Sequence, residues 1–181
     1  MKKIILTVFA ATSLLLYSTP SFAISLSVGV PIGASLKNDD GSEAADGASG
    51  YFLGVQLPFG LGLGMDSHKT KIKDSAEMSV STSIYNLYYQ LPVAVVNLIL
   101  GFGTGSSNFE CDDIGDGRTC EDYFTKGAAT QWYTSIGIPL IPFFDIHLSY
   151  RSITNKNIKD TSDEKSDVSS TMTGVGLAFN F

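Results

Sequence analysis

The chain has 181 residues, with 12 Lys and Arg against 18 Asp and Glu, and 44% of it is hydrophobic. That length suits one domain, and an acidic chain without a basic patch is not a nucleic-acid binder. After the N-terminal segment, no stretch offers the ~18 uninterrupted apolar residues of a spanning helix; the longest run, Val93 to Leu100, contains Asn97.

Met1-Lys2-Lys3 is a basic start, Ile4 to Leu16 an apolar run, and Ser21-Phe22-Ala23 a small-x-small cleavage site. The pattern predicts a secretory signal peptide over residues 1–23, cleaved after Ala23, with residues 24–181 as the mature domain. No Cys stands at the cleavage point, which argues against a lipoprotein.

From Ile24 the hydropathy alternates with period two, the mark of a strand with one apolar face. Ile24, Leu26, Val28, Val30 and Ile32 form the first such row. A loop rich in Gly, Asp and Ala follows over Gly33–Gly50. The second row is Tyr51, Leu53, Val55 and Leu57, and the third, after a turn at Pro58-Phe59, is Leu61, Leu63 and Met65. His68 to Met78 reads as a charged loop. The fourth strand runs from about Ser79 to Leu91, with Tyr85, Leu87, Tyr89 and Leu91 opposite Asn86, Tyr88 and Gln90; Val80 and Ile84 are out of phase. The fifth sets Val96, Leu98, Leu100 and Phe102 against Asn97, Ile99, Gly101 and Gly103. A long acidic loop holds Cys111 and Cys120. The sixth shows Trp132, Ile136 and Ile138 opposite Gln131, Tyr133 and Ser135. The seventh shows Phe144, Ile146, Leu148 and Tyr150 opposite Asp145, His147, Ser149 and Arg151. Ser152–Asp167 reads as a polar loop, and the eighth strand ends at Phe181.

The rhythm is eight strands with long and short connections in alternation. It predicts an all-β fold: an eight-stranded antiparallel up-and-down transmembrane β-barrel. A lipocalin-like soluble barrel shows the same alternation turned inside out, so composition must choose. The non-apolar face here is Gly, Ser, Ala, Asn and Gln rather than Lys, Glu and Thr. A narrow eight-stranded lumen needs small residues; a water-washed exterior does not. No charge falls mid-strand on the apolar face, where Lys or Arg costs roughly 2–4 kcal/mol in lipid. Aromatics gather towards strand ends, Phe59, Tyr89, Phe144, Phe179 and Phe181 at one end and Tyr51, Phe102 and Tyr150 at the other, as interfacial girdles do.

The last strand adds a signal. Gly176, Phe179 and Phe181 resemble the C-terminal pattern of Gram-negative outer-membrane barrels, although Gly174 stands where that pattern has a polar residue. Over residues 24–181 the sequence resembles the OmpA/OmpX-type small barrels. The resemblance implies an outer-membrane location, short turns in the periplasm and long loops outside. It also implies passage through periplasmic chaperones and a barrel-assembly machine that reads Gly176, Phe179 and Phe181. It implies contact with lipid and lipopolysaccharide and a monomeric state. An extracellular ligand would meet the loops, and no cofactor is implied.

An even cysteine count in an exported chain points to a Cys111–Cys120 disulfide, worth roughly 2.5–3 kcal/mol for so short a loop. Neighbouring Glu110, Asp112, Asp113, Asp116, Glu121 and Asp122 make the loop acidic. Asp112-x-Ile-x-Asp116-Gly117 resembles part of a calcium loop, but Ile114 replaces a ligand and no Glu closes it. Lys69, Lys71 and Lys73 could touch lipid phosphates; such charges are more often simply solvated.

One strand invites an enzymatic reading. Asp145, His147 and Ser149 share a face, yet i and i+2 lie ~6.6 Å apart on a strand, whereas a nucleophile and its base need ~2.6–3.2 Å. His147-Leu148-Ser149 resembles the His-x-Ser of PagL lipid A deacylases, but Tyr150 stands where that family has Asn and parity turns the pair into the lumen. PagP-type acyltransferases fit less well, since an N-terminal amphipathic helix is missing. The remaining reading is a polar lumen filled by Asp66, Arg151, Asp145, His147, Ser149, Gln131, Tyr133, Asn97 and Tyr88, with an Asp66–Arg151 pair across its upper part. A narrow channel is opposed by bulky Tyr88, Tyr133 and Arg151. The function expected is structural and surface-interactive, with no catalytic and no metal residue.

Overall fold

The computed structural model describes residues 24–38, 41–73, 78–93, 96–111, 120, 124–141, 143–159 and 165–181. The predicted signal peptide and the calcium-like Asp112–Gly117 stretch lie outside these residues. The strands are β1 (Ser25–Asn38), β2 (Gly41–Ala44), β3 (Ala48–Gln56), β4 (Leu61–Lys71), β5 (Met78–Pro92), β6 (Asn97–Cys111), β7 (Gly127–Ile141), β8 (Phe144–Lys159) and β9 (Lys165–Asn180). Each barrel stave pairs antiparallel with its chain neighbour, and β1 pairs with β9 to close the ring. The closed barrel has eight staves, since β2 is a short ribbon on the upper end of β1, from Ser35↔Ala44 to Asn38↔Gly41. Closure pairs backbone groups that an open sheet would leave bare in hydrocarbon.

The short connections are tight. Leu57-Pro58-Phe59-Gly60 closes with Gly60 N–H donating to Leu57 O at 3.3 Å, and Phe59 takes φ 74°. Pro31 has no N–H to give, and the β1–β9 register slips between Pro31 and Gly33.

The strands are longer than the sequence pattern indicates. β5, β6 and β7 each have 15 residues and β8 and β9 have 16, against the ~9–11 needed to span. Much of the predicted loop at His68–Met78, and most of that at Ser152–Asp167, is strand. The cause is an inversion of polarity along the barrel. In the lower part the outward rows are Val28, Leu53, Leu63, Leu87, Leu100, Ile136, Leu148 and Leu177, all exposed. Above Tyr85, Phe102, Trp132 and Tyr150 the outward positions become Ser67, Ser83, Thr104, Thr130, Ser152 and Thr173. There the interior turns apolar instead: Phe52, Ile84, Ala129, Ile153 and Met172 pack together, all buried. Higher still, Val80, Phe109 and Cys120 form a second cluster with Ile72, Met78 and Phe124. The upper barrel is built like a water-soluble one and the lower like a lipid-facing one, which explains why Val80 and Ile84 break the phase of their strand.

Candidate functional site

The lower and middle lumen gathers the polar inward residues. Asp66 on β4 and Arg151 on β8 are both buried, and Arg151 Nε donates to Asp66 Oδ2 at 2.9 Å. The same carboxylate oxygen accepts from Gln131 Nε2 at 2.6 Å, and Gln131 also donates to Asn86 Oδ1 at 2.9 Å. Arg151 Nη1 donates to Ser149 Oγ, which donates to Gly174 O at 3.2 Å. The guanidinium lies over two rings, 3.5 Å from the Phe52 centroid and 4.9 Å from that of Tyr133. Charge is neutralised in place, as a desolvated pair requires.

A second polar group sits at the turn end. Asn97 Nδ2 donates to Asp145 Oδ2 at 2.7 Å, Asn180 Nδ2 to the same oxygen at 3.1 Å, and Gln90 Nε2 to Asn97 Oδ1 at 2.9 Å. Tyr88, Ile99 and Tyr133 form an apolar cluster in the lumen, with the Tyr rings edge to face at 6.4 Å. Tyr88 also hydrogen-bonds the side chain of Ser27. Among the described residues, the polar side chains of the lumen form two hydrogen-bonded groups. The rings of Tyr88 and Tyr133 take the places left bare by Gly62 and Gly101, where any Cβ would overlap them.

His147 joins neither group by a close bond. Its Nδ1 lies 3.2 Å from Ser135 Oγ on β7, and its Nε2 is 3.9 Å from Asp145 Oδ2. Ser149, which the strand spacing keeps away from His147, bonds Arg151 and the Gly174 carbonyl. Ser135 was the residue to consider, because it faces Ser149 across the β7–β8 ladder and stands one step from the Gly137↔His147 pair. A cavity of ≈ 60 Å³ is lined by Asp66, Tyr88, Ser135, His147, Ser149 and Arg151, among others. Such a space takes a few water molecules. Among the described residues, no group of three His, Cys, Asp or Glu is placed to hold a metal.

Several lumen residues were hidden in the sequence. Phe52, Ile153, Met172, His68 and Asn155 are all buried, yet His68, Ile153 and Asn155 fall in predicted loops. Neither ring nitrogen of His68, nor either side-chain polar atom of Asn155, finds a hydrogen-bond partner among the described residues. Outside the membrane belt, Cys111 and Cys120 are joined, and Phe124 packs on Phe109 at 4.9 Å. Lys69 pairs with Glu110 on the exterior, and the ammonium hydrogen bond holds that carboxyl below its usual range. Gly176 and Phe179 pair with Gly29 and Leu26 along the β1–β9 seam, and Phe181 N–H donates to Ile24 O at 2.9 Å.

No protein-family model matches the sequence, and no curated protein matches it either. Solved structures do match in shape. Neisserial surface protein A superposes with a TM-score of 0.67 at 15% identity, over 89% of this chain and 97% of that one. AlkL, an outer-membrane protein solved in lipid bilayers, gives 0.52 at 10% identity over 91% and 92%. The N-terminal barrel domain of Pseudomonas aeruginosa OprF gives 0.50 at 12% identity over 87% and 97%. With its eight antiparallel staves closed by the β1–β9 seam, greasy without and filled within, the chain has the fold of the small eight-stranded outer-membrane β-barrels.

Proposed function

We propose that this protein is an integral outer-membrane barrel, exported with residues 1–23 removed, that serves as a sealed platform for surface contacts. The observation that carries the reading is the stacking of side-chain layers across the lumen. The Asp145 group closes the turn end, and the Arg151–Asp66–Gln131 group crosses the middle. The Phe52–Ile84–Met172 cluster and the Val80–Phe109–Cys120 cluster lie above. A plugged barrel has no solute path, so its work falls to the loop end, which carries nearly all the charge. There the loops would meet lipopolysaccharide or an extracellular partner, and the seam residues Gly176, Phe179 and Phe181 would serve assembly.

The alternatives are an acyl hydrolase and a narrow pore. Ser135, His147 and Asp145 have the right chemistry for hydrolysis, but the 3.9 Å His–Asp separation is no hydrogen bond. The cavity of ≈ 60 Å³ beside them is of a size for a few water molecules. The test is planar-bilayer conductance beside binding of the purified barrel to lipopolysaccharide and host-matrix proteins, with and without its loops. No current steps and loop-dependent binding are expected. Discrete single-channel steps from the intact barrel would overturn the platform reading.

A further inference from the structure

The turn end of the barrel is unusually greasy. From Ile24 onward, every Lys, Arg, Asp and Glu lies within residues 37–46, 69–77, 110–126 or 156–167, apart from Asp66, Asp145 and Arg151. Those three point into the lumen and are buried. The connections at residues 57–61, 91–97 and 138–144 therefore carry no charge. Their described apolar side chains stand outside: Phe59, Val93, Leu140, Ile141 and Phe143 are exposed, Phe143 at 68%, and Phe181 beside them at 74%. A rim standing in periplasmic water gains nothing from this and exposes a broad apolar patch.

The height of the belt indicates what covers it. On β7 the outward row from Trp132 to Ile138 is apolar except for Thr134, and on β8 the apolar row runs from Phe144 to Tyr150. Six steps at ~3.3 Å, tilted ~40°, make a band roughly 15 Å tall. An outer-membrane barrel needs an apolar band of ~25 Å. The band is bounded above by Thr130, Ser152 and the other outward hydroxyls, so the missing height has to come from below. Counting down to Ile141 adds about three residues and brings the band to roughly 23 Å. The turns are continuous with the lipid-facing rows, with no polar residue exposed between Ile138 and Ile141 on β7.

We propose that the turn end is itself a membrane-contacting surface, sunk into the inner leaflet so that Phe59, Leu140, Ile141, Phe143 and Phe181 lie among phospholipid glycerol and upper acyl groups. The barrel sits deep, and the long upper strands stand clear of the bilayer on the other side. The inference rests on the outer-membrane reading above, and the single Trp of the chain keeps the two apart. Trp132 lies on the lipid-facing wall near the upper girdle. Two proteins are reconstituted into phosphatidylcholine vesicles containing bromolipids brominated either near the glycerol or near the chain end. One is the wild type, reporting on Trp132; the other is W132F with F143W. A W132F/F59W protein repeats the measurement on another turn.

The expected result is that F143W and F59W emit as far to the blue as Trp132. They should lose at least as much intensity to lipid brominated near the glycerol, and resist aqueous acrylamide. If Trp132 is quenched by bromolipid while both turn reporters emit as in water and yield to acrylamide, the immersion is overturned. The apolar rim would then call for a periplasmic protein partner. If Trp132 itself escapes bromolipid in a folded barrel, the membrane reading fails, and this proposal with it.

Discussion

Arg151 lays its guanidinium on the face of Phe52, 3.5 Å from the ring centroid, while its Nε holds Asp66 at 2.9 Å. The pair is buried in the middle of the lumen, with Gln131 and Ser149 as its polar neighbours, so its energetics are those of a desolvated charge pair. Replacing Arg151 by Met leaves Asp66 charged and unmatched, which costs about 3–5 kcal/mol. The double variant R151M/D66N removes both charges and should recover most of that loss. Urea unfolding of the vesicle-inserted barrel, read by the gel shift between folded and unfolded forms, measures both. Equal destabilisation in the single and double variants would show that packing on Phe52, rather than charge, dominates.

Gly101 is the empty seat for the Tyr133 ring. A methyl there overlaps the ring, so Gly101→Ala should force Tyr133 from its rotamer at a cost of about 1–3 kcal/mol. Tyr133→Ala opens the space again, so G101A/Y133A should be less destabilised than the two single losses summed. A double-mutant cycle on unfolding free energies detects the coupling, and additivity would remove the proposed clash.

Phe59 holds φ 74° in a turn whose third residue is normally glycine or asparagine. Comparing Phe59→Gly with Phe59→Ala separates backbone strain from loss of the ring, since both variants lack it. The glycine variant should be the more stable by about 1 kcal/mol, because alanine keeps the left-handed penalty. Equal unfolding midpoints would place the turn in another conformation.

Lys69 and Glu110 face each other on the water-exposed upper wall, and Lys69 keeps the Glu110 carboxyl below its ordinary value of 4.5. A lowered carboxylate adds stability above its unfolded pKa, and that stability is lost as pH falls through the folded value. The pair should therefore matter above pH 4.5 and fade below it. Both groups are substantially exposed, so salt should screen the contribution. Lys69→Ala should move the Glu110 titration upward in an NMR experiment on the isotope-labelled barrel; an unmoved midpoint would remove Lys69 as the cause.

The barrel and the facing of its lower rows could be read from sequence because lipid imposes one rule there. Every second residue of β1, from Leu26 to Ile32, must be apolar, and its partners must be small or polar. The upper strands obey a different rule. Outward Ser83 and Thr104 meet water while inward Ile84 does not, so the alternation reverses and, to a reader expecting lipid, looks like a loop. His68 and Asn155 were lost for the same reason. Asp66 and Arg151 could be placed on facing walls at one height because both lie close to the regular rows. Ser135 was missed because hydrogen bonding across the β7–β8 ladder depends on register, which alternation alone does not reveal. The contact of Arg151 with the Phe52 and Tyr133 rings depends on lumen-crossing distances, and these too carry no periodic mark.

The seam between β1 and β9 has a kinetic meaning. Thr173 Oγ1 donates to the carbonyl of Gly33 across 140 positions of chain, so the ring is sealed by contacts between its two ends. Until β9 arrives, β1 has an unpartnered margin able to recruit any extended peptide. Such distant closure is slow for a lone polypeptide, and the nascent protein must be shielded from self-association throughout that wait.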